Sequence, residues 1–204
     1  MYTQLKLSAG VLVLGLCAAC AGSGPQYFTL KPPVQLSTTK SAGLDYQGFV
    51  LKHLDLPVQL DRRQMVLLNE GGAQLQLLND YQWASPLGDE WQLAVSAGLP
   101  LRIAKPDLGV PSAGQKYWAL SLGVLGFESA LGQYVAQEVN WSLQAVGFTA
   151  QSFQCRLVQK MPAPGDLTQL VQAHQTLVAN LLDILAAQMN AQPYALKSDI
   201  FLDC

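Results

Sequence analysis

Three stretches of this chain alternate strictly between apolar and other residues. Trp118, Leu120, Leu122 and Val124 fall on every second position, as do Val135, Gln137, Val139, Trp141, Leu143 and Ala145. Phe153, Cys155 and Leu157 repeat the pattern. Period two puts one set of side chains on one face of a sheet, so these are three half-buried strands. Short connections between them predict an antiparallel meander. The period then changes. Leu167, Leu170, Val171, His174, Leu177, Val178, Leu181, Leu185 and Met189 form a stripe at helical spacing, with Asp166 as cap and Gln169 in capping-box position.

The first half of the chain is less regular. Tyr27–Leu30 reads as a short strand, followed by a loop rich in Pro, Ser and Thr over 31–45, and residues 46–56 read as extended. Gly71-Gly72 divides Gln64–Glu70 from Ala73–Asn79, which predicts a hairpin. A second helix is expected to begin at Ser85 as cap with Pro86 in its first position. Asp89 and Glu90 lie in its first turn, favourable for the dipole. Leu87, Trp91, Ala94, Val95 and Leu99 would share its buried face, Gly98 and Pro100 would end it, and Leu101–Ala104 would form a short strand. These elements make an α+β fold: an antiparallel or mixed sheet packed against two amphipathic helices, in a single domain over residues 27–204.

Composition narrows the class. Of 204 residues, 50% are hydrophobic and 13% charged, which suits a chain with one full core and excludes a disordered one. The net charge of -2 supplies no basic field for nucleic acid.

The N-terminus carries the sharpest signal. Lys6 precedes an apolar run from Leu7 to Leu16, long enough for a secretory signal and too short to span a bilayer. Ala18 and Ala19 then lead directly to Cys20. This resembles a bacterial lipobox, with Cys17 where the pattern normally has Leu. On that reading residues 1–19 are removed, Cys20 is acylated, and residues 20–26 form a tether. Several acyl chains make anchoring stable, because each buried CH₂ adds about 0.8 kcal/mol. Ala21, where lipoproteins retained at the inner membrane commonly carry Asp, implies transfer to the outer membrane. Cys155 and Cys204 then remain, an even number in an oxidising compartment, and are expected to pair.

No catalytic set stands out. His174 lies in the apolar stripe, and His53 lies beside Asp55 without a nucleophile. Ser37-Thr38-Thr39-Lys40 has the spacing of penicillin-binding enzymes but lacks their partner motifs. Gly109–Gly114 lacks the Lys-Ser/Thr ending of a P-loop. Two Cys and two distant His match no metal spacing, and no cofactor motif occurs.

Three segments together resemble the PqiC-type ABC-transport auxiliary lipoproteins. They are Tyr27-Phe28-Thr29-Leu30, Leu56-Pro57-Val58-Gln59-Leu60-Asp61-Arg62-Arg63-Gln64-Met65-Val66, and Trp83-Ala84-Ser85-Pro86-Leu87. Arg63 stands where the family usually has Pro. The resemblance implies a non-enzymatic auxiliary subunit of an MCE lipid transport system, anchored at the periplasmic face of the outer membrane. It implies an MCE-domain partner and a possible homo-oligomer. Trp83, Pro86 and Leu87 would be structural; Pro57, Asp61 and Arg62 would belong to a partner-binding surface within residues 47–70. Asp61 and Arg62 are expected to make a turn or a local ion pair. The competing reading is a stand-alone periplasmic lipoprotein that binds or hydrolyses cell wall.

Overall fold

The computed structural model describes residues 24–33, 44–69, 72–195 and 200–204. The signal segment, Cys20, Ser37 and Lys40 lie outside them. The described chain runs β1 (Gln26–Phe28), β2 (Gly48–Asp55), β3 (Gln64–Leu68), β4 (Leu75–Trp83), α1 (Leu87–Ile103), β5 (Tyr117–Ala130), β6 (Tyr134–Val146), β7 (Phe153–Pro162), α2 (Leu167–Met189) and β8 (Ile200–Asp203). They build two sheets, ordered β1-β4-β3 and β2-β5-β6-β7-β8. The expected meander is present: β5 pairs antiparallel with β6, and β6 with β7. Two pairings, β1 with β4 and β2 with β5, are parallel, so both sheets are mixed.

The period-two residues explain the layers. Trp118, Leu120, Leu122 and Val124 are buried, as are Val139, Trp141, Leu143, Cys155 and Leu157. They meet the buried stripe of α2, including Val178, Leu181, Leu185 and Met189, in one core shared with Trp91, Val95 and Leu99 of α1. Full burial of one such Leu or Val contributes about 1.5–3 kcal/mol. Asp166 caps α2, its Oδ1 accepting the Gln169 N–H at 3.0 Å.

Helix α1 corrects three sequence expectations. It does not end at Gly98 or Pro100. It continues to Ile103 and stops where Ala104 takes a left-handed conformation, φ 53°. Leu101–Ala104 is therefore not a strand. Leu99 and Ile103 are both buried, and their packing outweighs the bond that Pro100 cannot donate. Gly98 has a different use: a Cβ there would lie 2.6 Å from Leu182 Cδ1, so its lack of a side chain lets α1 approach α2. Arg102, buried, fastens the crossing through Nε to Asp183 Oδ1 at 2.6 Å. The third correction is that Pro86 occupies the cap position of α1 and Ser85 does not cap it.

The structure joins Cys155 to Cys204 by a disulfide closing a separation of 49 residues. It fixes β8 along the edge of β7, where Arg156 pairs with Asp203. Constraining a loop of that length in the unfolded chain is worth about 4 kcal/mol in the chain-entropy model. The double variant Cys155→Ala/Cys204→Ala should lose about 2–4 kcal/mol in urea unfolding, with β8 losing amide-exchange protection before β5 and β6.

Candidate functional site: the joint at the start of the first helix

The three segments singled out in the sequence, far apart in the chain, meet at the first turn of α1. Glu90 is the centre. Its side chain is buried, at 1% exposure, yet its carboxylate is fully occupied. Oε2 accepts the Thr29 hydroxyl at 2.7 Å and the Leu30 N–H at 2.9 Å. Oε1 accepts the Ser85 N–H at 3.1 Å and the Ser85 hydroxyl at 2.8 Å. Four donors offset the cost of taking a carboxylate out of water. One side chain thus ties the Tyr27–Leu30 segment to the Trp83–Leu87 segment.

The Leu56–Gln64 segment supplies the missing cap. Leu60 and Asp61 donate their N–H groups to the Pro57 carbonyl, forming a turn. That turn presents Asp61 Oδ1 to the Gly88 N–H at 2.9 Å. The Arg62 carbonyl accepts the Leu87 N–H at 3.2 Å. Arg63 donates from its guanidinium to the Ala84 carbonyl at 2.8 Å, and its own carbonyl accepts the Trp83 N–H. Two otherwise orphaned N–H groups of the helix start are therefore satisfied from a distant segment. Asp61 is a remote helix cap in this structure, rather than half of an ion pair with Arg62. Trp83 and Leu87 are buried against the core, with Trp83 edge-on to Phe127. Pro86 accepts the Glu90 N–H.

Sequence reasoning read Glu90 only as a favourable first-turn acid. Its real partners, Thr29 and Leu30, are 61 and 60 residues away. An acidic residue in a turn that otherwise buries Leu87 and Trp91 was the one available signal.

A second cluster bears on hydrolysis. Ser129 Oγ lies 2.9 Å from His174 Nε2, the spacing of a nucleophile and its base. The Gln137 Nε2 group faces both the His174 carbonyl at 3.3 Å and His174 Nδ1 at 3.1 Å. It must donate to the carbonyl, so Nδ1 is the acceptor and the ring proton sits on Nε2. That proton points at Ser129, leaving no lone pair there to take a proton from it. Ser129 and His174 are buried, and the ring stacks on Phe127 with centroids 3.9 Å apart. Desolvation pushes the His174 pKa down to about 3. The cluster holds α2 to β5 and β6 with a neutral imidazole. His53 is exposed on β2, remote from these groups in the fold.

A groove of about 460 Å³ lies over the outer face of the large sheet. Ser121, Asn140, Ser142, Gln154 and Arg156 line it beside Asp203 and Cys204. It holds hydroxyls, amides and a guanidinium without a histidine. Among the described residues, no group of three His, Cys, Asp or Glu could hold a metal ion.

Two predictions follow from this geometry. Glu90→Ala leaves the Leu30 and Ser85 donors without an acceptor and should cost about 2–4 kcal/mol in denaturant unfolding. Glu90→Gln should fall between, because its amide must set an NH₂ group against one of the two donor pairs. Both variants should release the segment before β2 to limited proteolysis ahead of global unfolding. His174 binds its proton in the unfolded chain near pH 6.5 and in the folded chain near 3. Its contribution is fully present above about pH 6.5 and is lost as pH falls towards 3, at up to about 1.4 kcal/mol per pH unit. Unfolding midpoints at about pH 7 and about pH 4.5 should diverge more in the wild type than in His174→Gln.

Similarity to known proteins agrees with the fold. One crystal structure, of an uncharacterized protein, superposes with a TM-score of 0.65 at 18% identity, covering 82% of this chain and 99% of the other. A crystal structure of a Xanthomonas campestris protein assigned to family DUF330 gives 0.58 at 15% identity, with 81% and 95% covered. No curated protein sequence matches. The model of the family described as "ABC-type transport auxiliary lipoprotein component" matches residues 28–186, from the segment bound by Glu90 to the last turn of α2. The chain belongs to that family of transport auxiliary lipoproteins.

Proposed function

We propose that this chain is a non-enzymatic, lipid-anchored subunit of an MCE-type intermembrane lipid transport system. It would be tethered through Cys20 to the periplasmic face of the outer membrane. The carrying observation is the family match across nearly all of the described fold. The geometry supports it: the buried polar clusters serve packing, and the serine–histidine pair has its proton on the wrong nitrogen for general-base work.

The partner is an MCE-domain protein that spans the periplasm, and the chain's task is docking. Its contact surface lies beside the Pro57–Arg62 turn. β2 is an edge strand of the large sheet there, and its ladder with β5 slips between Leu51 and His53. Asp61 is exposed even while it caps α1, so the same turn can face a partner. A second copy of the chain is a further possible neighbour in the assembly.

Affinity purification of the full chain from the envelope should recover an MCE-domain protein. Cys20→Ala should lose both acyl label and membrane fractionation. Recovery of the chain alone, from a genome with no transport genes beside its own, would defeat the proposal.

A further inference from the structure

The β3–β4 hairpin leaves one face uncovered. Val66 pairs with Leu77 and Leu68 with Leu75, so four apolar side chains share that face. Leu75 is 55% exposed and Leu77 47%, while the opposite face buries Met65 and Leu67. Leu131, in the adjacent β5–β6 turn, is also exposed, and it shares a hollow with Leu67 and Leu68 at the same end of the molecule. Between Gln64 and Asn79 the only ionisable residue is Glu70. Charge normally keeps such a surface in water.

The position of this face relative to the N-terminus is informative. β1 runs parallel to β4, with Gln26 opposite Tyr81. Traced backwards from Gln26, the chain leaves in the direction in which β4 runs back from Tyr81 to Leu75. Cys20 precedes Gln26 by six residues, a reach of at most about 20 Å. Leu75 precedes Tyr81 by six residues as well, about 20 Å of strand. The anchor can therefore sit no farther along than the leucine face, and it holds that end of the domain within one short tether of its membrane.

We propose that the Val66/Leu68/Leu75/Leu77 face is a second membrane contact, resting on the lipid surface into which Cys20 is anchored. This rests on the lipid-anchor reading. A single flexible tether would leave the domain free to tumble. An apolar face beside it fixes orientation, with β2 and the polar sheet groove held away from the bilayer.

The test uses the full acylated chain in vesicles of phosphatidylethanolamine with a minor fraction of phosphatidylglycerol. With Cys20 acylated and Cys155 bonded to Cys204, an introduced cysteine is the sole free thiol. An environment-sensitive fluorophore is placed at Leu77→Cys, at Leu75→Cys as an independent reporter, and at Val110→Cys. Val110 is 93% exposed in the loop leading into the start of β5, whereas the hairpin packs near the far end of that strand, against Phe127 and Ser129. Brominated acyl chains should remove most of the emission at positions 75 and 77 and leave that at 110 unchanged. Adding Leu75→Ser to the Leu77→Cys protein should weaken the quenching while the protein still floats with the vesicles. Flotation with no quenching at either hairpin position overturns the contact and leaves the anchor standing. Cross-linking between copies through position 77, without lipid quenching, overturns it in favour of a second copy. An unacylated mass with no flotation removes the anchor, and the proposal falls with it.

Discussion

Everything in the first half of the fold hangs on a buried negative charge. The Glu90 side chain bonds both the N-terminal segment and the residues leading into α1. A carboxylate in a dry core is costly unless its lone pairs are used. Here the cost becomes a constraint: the charge is tolerable only when Thr29, Leu30 and Ser85 are all in place. Leu30 is fully buried beside it, so apolar packing and the polar clamp select the same position for the incoming chain. Gln175 of α2 adds a further hold, donating from Nε2 to the Thr29 carbonyl at 2.9 Å. The N-terminal segment is thereby stapled to both helices, although β1 itself pairs over only three residues.

The second half is held differently. Its core is almost wholly aliphatic and aromatic, and four of its buried polar side chains, Ser129, Gln137, Gln159 and His174, form one connected set. His174 bonds Ser129 and Gln137; Gln159 donates to the Leu177 carbonyl at 2.8 Å and approaches Gln137 Oε1 at 3.5 Å. The set links β5, β6, β7 and α2 at a depth where register would otherwise rest on shape alone. Polar groups with defined partners penalise a slipped arrangement more than leucines do, since a slip strands each of them. The same feature makes this region sensitive to acid, because only the neutral imidazole fits the site.

The residues differ in how readily sequence reveals their roles. The meander and α2 were legible because burial on one face imposes a period that local sequence must carry. Asp166 was legible because its bond to Gln169 is local. Gly98 and Pro100 misled because their usual meaning is local, whereas their role is set by Leu182 across the helix crossing and by burial of Leu99 and Ile103. Ser85 misled in the same way: its hydroxyl serves Glu90, and the cap comes from Asp61, 27 residues before the Gly88 N–H it accepts. The parallel pairings of β1 with β4 and β2 with β5 leave no periodic trace. At the joint, the three segments were recognisable as motifs, but their convergence on Glu90 was not.

That convergence explains why such segments hold together as a set without any shared chemistry. Asp61 depends on the Pro57 turn, Gly88 depends on Asp61, and Arg63 must reach the Ala84 carbonyl for the Trp83 strand end to meet α1. Each contact satisfies a backbone group that burial would otherwise leave unpaired. A substitution in one segment therefore exposes a defect in another. On the proposed reading, in which the domain is tethered through residues before β1, this arrangement would have a mechanical consequence. A pull on that tether would enter at β1 and pass through Thr29 and Leu30 into Glu90. It would reach α1 at the turn that Asp61 caps, and from there spread into the core through Trp91. The segments most recognisable in sequence are those that join the N-terminal strand to the body of the fold.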